Sequence, residues 1–140
     1  MISVYHTSLN KMNSNDTAKL NQMHHEHLSW LRVVDFFEEE NIFLKKRLAE
    51  VVNQNSDKDF LALAEQYQNL FIIKTNFMEE LRHDIHEQEE FLKKSLLQPE
   101  KYLTKYFFEQ HEKLELNTRF LEKDFAKIRN EFNEYITAAL

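Results

Sequence analysis

Glycine is absent from this 140-residue chain, proline occurs once, at Pro99, and there is no cysteine. Hairpin turns lean on glycine for positive φ, so the first absence counts heavily against an all-β fold. Helices avoid both glycine and proline, and the two scarcities together point to α structure. Without cysteine there are no disulfide frameworks, thiolate zinc sites, iron–sulfur clusters or cysteine nucleophiles, and a reducing compartment suits the chain. Without glycine the phosphate-cradling loops of nucleotide-binding proteins cannot be built. Neither GxSxG nor HExxH occurs, and Ser29 and Ser95 show no pairing of nucleophile with base.

Long apolar runs are missing too. The strongest, Leu70-Phe71-Ile72-Ile73, is closed off by Lys74, well short of the roughly 18 residues of a membrane span. The opening residues, MISVYHTSLNKMNSND, have neither the basic region nor the continuous apolar core of a secretory signal. Net charge is −6 and the isoelectric point about 5.6. Lysine and arginine are dispersed among acids, as at Lys45-Lys46-Arg47 and Lys93-Lys94, which argues against a nucleic-acid surface. The expectation is a soluble, cytoplasmic protein that engages neither membrane nor nucleic acid.

Apolar residues fall at alternating spacings of three and four along most of the chain. One seam reads Leu20, Met23, His27, Trp30, Val34, Phe37, Asn41, Leu44, Leu48, Val51. The next reads Phe60, Leu63, Tyr67, Leu70, Lys74, Phe77, Leu81, Asp84, Gln88, Phe91, flanked by Ala64, Phe71, Met78, Ile85 and Leu92. A third reads Phe107, His111, Leu114, Thr118, Leu121, Phe125, Ile128, Phe132, Tyr135, Ala139. Such a heptad pattern predicts helices over about 17–53, 57–96 and 99–137. The break at Asn53-Gln54-Asn55-Ser56 is followed by Asp59, so Ser56 and Asp59 form a candidate capping box. Pro99 ends the second helix and opens the third.

Short connections make neighbouring helices antiparallel. The expected fold is all-α, an elongated up-down-up three-helix bundle over 16–140 with coiled-coil-like packing, preceded by an irregular arm over 1–15. That arm carries Ile2, Val4, Tyr5, Leu9 and Met12. If the turns centre near residues 55 and 98, His27 falls level with residue 83, and Asp84 with residue 112.

The polar members of the three seams, His27, Asp84 and His111, are then expected in one layer, with His24, His25, His83 and His86 around it. Imidazoles and a carboxylate projecting inward from separate helices are how bundles hold zinc, iron or manganese. A divalent metal on His27, Asp84 and His111, supported by His24, His83 and His86, is therefore one reading. The other is a hydrogen-bonded layer without any cofactor, in which Asp84 accepts from the histidines and the layer sets helix register. A third makes the layer responsive to pH, because histidine changes charge between about pH 5 and 8.

Val33, Phe36 and Phe43 on the first helix, with Phe108, Leu116 and Phe120 on the third, widen the apolar stripes beyond what a three-helix core needs. They are expected to pack against the arm or to form a dimer interface. Lys74 is expected to reach Glu38, Glu122 or Asp124 from within its seam.

The runs His24-His25-Glu26-His27-Leu28-Ser29-Trp30, Tyr67-Gln68-Asn69-Leu70-Phe71-Ile72 and Leu81-Arg82-His83-Asp84-Ile85 resemble those of small all-helical bacterial proteins. That resemblance covers most of 20–136 and implies the fold without an activity. The histidines and carboxylates are also similar in type to those of hemerythrin-like bundles. The chain departs from that pattern in having three long helices rather than four and no His-x-x-x-His pair, so no di-iron site is carried over. The function expected is non-enzymatic, acting through self-association as a homodimer or through another helical protein. The alternative is a metal-binding protein using the layer above.

Overall fold

The computed structural model describes residues 14–140, so nearly all of the N-terminal arm, with its apolar residues, lies outside the described residues. The order is α1 (Ser14–Asn53), α2 (Lys58–Ser95), α3 (Pro99–Tyr102) and α4 (Lys105–Ala139). No strand occurs among the described residues. The fold is all-α, as its composition requires. The helices number four rather than three, because the last expected helix is divided into the single turn α3 and the long α4.

Both breaks have a local cause. Between α1 and α2 the cap is Asp57, not Ser56. Its carboxylate accepts from the amides of Asp59 at 2.8 Å and Phe60 at 3.2 Å. A carboxylate meets the positive end of the helix dipole better than a hydroxyl does. Pro99 opens α3 as its first residue. Leu103 and Thr104 then leave helical geometry, and Thr104 starts α4 by accepting from the Phe107 amide at 3.2 Å. Threonine with its hydroxyl free before an apolar-periodic stretch is an ordinary N-cap.

The long helices pack pairwise, each against the other two. Lys74 of α2 meets Asp124 of α4, Gln88 meets the Phe107 carbonyl and Tyr135 donates to the Phe60 carbonyl at 2.6 Å. These pairs are antiparallel and turn about residue 98, as expected. On the α1 side, His27 reaches Glu89, Arg82 reaches Asp35 and Glu38, and Asn41 reaches Thr75, so α1 and α2 are antiparallel as well.

In α1 and α4 the buried residues are almost entirely those of the expected seams. In α2 they are Phe60, Ala64, Phe71, Lys74, Met78, Leu81, Ile85, Gln88, Glu89, Leu92 and Ser95. The helix is thus rolled toward its flanking stripe. Leu63 is exposed, and Leu70, Phe77 and Phe91 are only half-buried. The roll follows from position 84. Burying Ile85 gains about 1.5–3 kcal/mol, whereas burying an unpaired carboxylate costs several. The row Ala64, Phe71, Met78, Ile85 and Leu92 goes inward and Asp84 goes out, while the charged groups that are buried, Lys74 and Glu89, each have a partner.

Toward the Asn53–Asp57 end the core is aromatic. Tyr135 stacks on Phe60 with ring centres 4.7 Å apart, and Tyr67, Phe71 and Phe132 close around it. Midway, Asn41 donates to the Phe71 carbonyl at 3.2 Å and to the Thr75 hydroxyl at 2.9 Å. Lys74 lies buried with its ammonium on Asp124 and over the rings of Phe77 and Phe120. At the other end, where α1 begins, the histidines gather.

Candidate functional site

His24 and His27 are three residues apart on α1, which places them on one face one turn apart. His27 has none of its surface exposed, His111 only 7%. His27 Nδ1 lies 2.5 Å from Glu89 Oε2, and the other oxygen of Glu89 accepts from His24 Nδ1. On its far side His27 Nε2 faces His111 Nδ1 at 3.3 Å. His111 Nε2 in turn faces Glu26 Oε1 at 3.3 Å. An unbroken chain, His24–Glu89–His27–His111–Glu26, therefore crosses the bundle through all three long helices. Trp30 closes it on one side, its ring centre 5.5 Å from that of His27 and 4.8 Å from that of His111.

Burial lowers the pKa of His27 from histidine's ordinary value, because an imidazolium loses its hydration there. Glu89 pulls the other way through its hydrogen bond and its charge, His111 reinforces the lowering, and Glu26 opposes it. The desolvation wins, so His27 favours its neutral form. Glu89 is itself buried, and clasping two ring N–H groups is what makes that tolerable.

Of the residues singled out by sequence, His27, His111 and His24 meet. Asp84, His83 and His86 do not join them. Asp84 is half-exposed and its partner is the adjacent, exposed His83, at 3.3 Å. His86 and His25 are exposed. Two displacements account for this. The roll of α2 turns Asp84 outward, and His27 lies level with Glu89 rather than residue 83, six positions or about 9 Å further along. The carboxylates that serve the histidines, Glu89 and Glu26, were missed. The available signals were weak: Glu89 follows the seam residue Gln88, and Glu26 precedes His27.

The distant ring nitrogens of His27 and His111 converge while each opposite nitrogen rests on a glutamate, the outer-shell pattern that orients ligating imidazoles in metal sites. Two imidazoles alone do not make such a site. Among the described residues no group of three or more His, Asp or Glu side chains is arranged to hold a metal ion.

Comparison with protein-family models, curated proteins and solved structures found no match. The site is read from its own geometry.

The outer surface carries a second kind of feature. A groove of about 620 Å³ runs between α1 and α2, with Leu48, Val52, Ala64 and Phe71 along it and Leu61 and Ile72 exposed at its edge. A shallower one of about 480 Å³ lies on the opposite flank of α2, between α2 and α4, beside Leu63, Tyr67, Leu70 and Ile73. Phe36, Phe43, Phe108, Leu116 and Phe120, expected to exceed the needs of the core, are all exposed, whereas Val33 packs partly against it. No helix among the described residues is long and apolar enough to cross a membrane.

Proposed function

We propose that this chain is a non-enzymatic interaction module of the cytoplasm, a helical rod that associates with a second copy of itself or with another helical protein. The observation that carries the reading is the pair of apolar grooves flanking α2. Leu61 and Ile72 stand exposed along the first, Leu63 and Ile73 along the second. Exposed apolar residues scattered singly are normal, but rows that border a groove mark a contact surface. An amphipathic helix laid into such a groove buries its apolar face at i, i+3, i+4 and i+7.

Ile72 and Ile73 are adjacent in sequence yet belong to opposite flanks of α2, so they form a matched pair of probes. Sedimentation analysis over a wide concentration range is expected to show a dimer. Either Ile72→Glu or Ile73→Glu, not both, dissociates it while the far-UV circular dichroism spectrum stays helical. A strict monomer at every concentration would refute self-association and leave only a different helical partner.

The alternative is a protein binding zinc, iron or manganese near His27 and His111. Its support is the pair of converging ring nitrogens, and metal content of untagged protein tests it.

A further inference from the structure

The chain through the core contains three contacts that involve the rings of His27 and His111. They are His27 Nδ1 to Glu89, His27 Nε2 to His111 Nδ1, and His111 Nε2 to Glu26. Each contact is a hydrogen bond only if one proton lies in it. Ionised carboxylates accept and do not donate, so all three protons must come from the four ring nitrogens. Two neutral imidazoles carry one proton each, which leaves one contact empty. With two protons, either the ring-to-ring contact sets lone pair against lone pair, or one ring turns a lone pair toward its glutamate. With four protons, two N–H groups collide across the 3.3 Å between the rings. Three is the number that satisfies every contact.

We propose that His27 and His111 hold one proton in common, as a buried, singly charged imidazole pair between Glu89 and Glu26, and that the bundle end senses pH through its gain or loss. In this state His27 is neutral, donating from Nδ1 to Glu89 and accepting at Nε2. His111 is the imidazolium, donating from Nδ1 to His27 and from Nε2 to Glu26. The titratable groups facing the rings are His24 and Glu26 from α1 and Glu89 from α2, beside the two rings of α1 and α4 themselves. The two glutamates compensate the single positive charge. Glutamate binds protons more weakly than histidine, which keeps the third proton on the ring. Trp30, against both rings, offers an aromatic face to the cation.

The two rings titrate as one unit. Raising the pH removes the shared proton and breaks one contact, while lowering it adds a fourth and breaks the central one. The α1 start and the α4 start are joined there, so both changes loosen the same end of the rod.

The test is imidazole ¹⁵N NMR of the intact chain between about pH 5 and 8, with Trp30 fluorescence beside it. At the acidic side of the upper titration, His27 is expected to show a neutral ring protonated on Nδ1 and His111 an imidazolium. Loss of the proton is then seen at both rings with one midpoint, and Trp30, the single tryptophan, brightens as its cationic neighbour disappears. Glu26→Gln, at a half-exposed position, is expected to lower that midpoint by about one pH unit or more, because a glutamine can donate to the neutral ring. Two neutral rings throughout the range, separate midpoints for the two rings, or a midpoint unmoved by Glu26→Gln would each overturn the proposal. The wild-type spectra decide the first two without any variant.

Discussion

Glu89 accepts from His24 and His27 together, one ring on each carboxylate oxygen, and so ties the start of α1 to the end of α2. His27 is fully buried, so its Nδ1 proton has no water to turn to. Removing the acceptor strands it, at a cost of about 1–3 kcal/mol. Glu89→Ala is therefore expected to lower the unfolding free energy by that amount, read as a lower urea midpoint at unchanged slope, and Glu89→Gln, which keeps one acceptor oxygen, by less.

The protonation of His27 gives a second expectation. Burial holds its folded pKa below the ordinary value of 6.5, so between the two values the unfolded chain binds more protons than the folded one. The corresponding stability is complete above 6.5 and declines as the pH falls from there toward the folded pKa. Melting temperatures measured from about pH 6.5 to 5, where the fourth proton is added, should fall toward acid. His27→Gln should flatten that decline. A decline of the same steepness in the variant would assign it to other groups.

Lys74 and Asp124 form an ion pair in which the lysine is buried and the aspartate partly exposed. Asp124→Ala leaves the buried Lys74 ammonium with only the rings of Phe77 and Phe120 beside it, and is expected to destabilise the bundle by about 1–3 kcal/mol. Lys74→Met removes the charge but keeps the volume, and leaves Asp124 able to hydrate. Its expected cost is well under half that of Asp124→Ala. Equal losses in urea titrations of the two variants would contradict this account of the site.

Both ring nitrogens of His27 are already engaged, so a metal would have to displace Glu89 or His111. Treatment with a chelator, or addition of zinc, iron or manganese, should leave the melting temperature where it was. A rise of several degrees with one metal, lost in His27→Gln, would restore the metal reading.

The fold was largely legible in the sequence because α1 and α4 each have one apolar stripe, and a single stripe admits one inward face. The second helix has two. Leu63, Leu70, Phe77 and Phe91 compete with Ala64, Phe71, Met78, Ile85 and Leu92, and periodicity alone does not choose between rows one position apart. The cost of burying Asp84 does, yet it becomes visible only when each row is weighed for charge as well as for spacing. The same ambiguity hid Glu89. His27 and His111 could be brought together from the sequence because they lie on the two unambiguous helices, whereas every layer member assigned to the second helix inherited its uncertain roll. The division of the last helix had a local signal in Thr104, overshadowed by the proline five residues before it.

Asn41 and His27 lie two heptads apart on α1. The first is anchored to Thr75, whose hydroxyl also receives the Lys45 ammonium at 2.7 Å and donates to the Phe71 carbonyl at 2.9 Å. Apolar seams with a seven-residue repeat would tolerate α1 sliding by seven, about 10 Å, with leucines and phenylalanines still meeting. Such a slide would uncouple both anchors in one movement and bury their polar atoms against hydrocarbon. The spacing of those two side chains thus works as a key with two teeth, admitting one alignment of rods whose greasy faces would otherwise accept several.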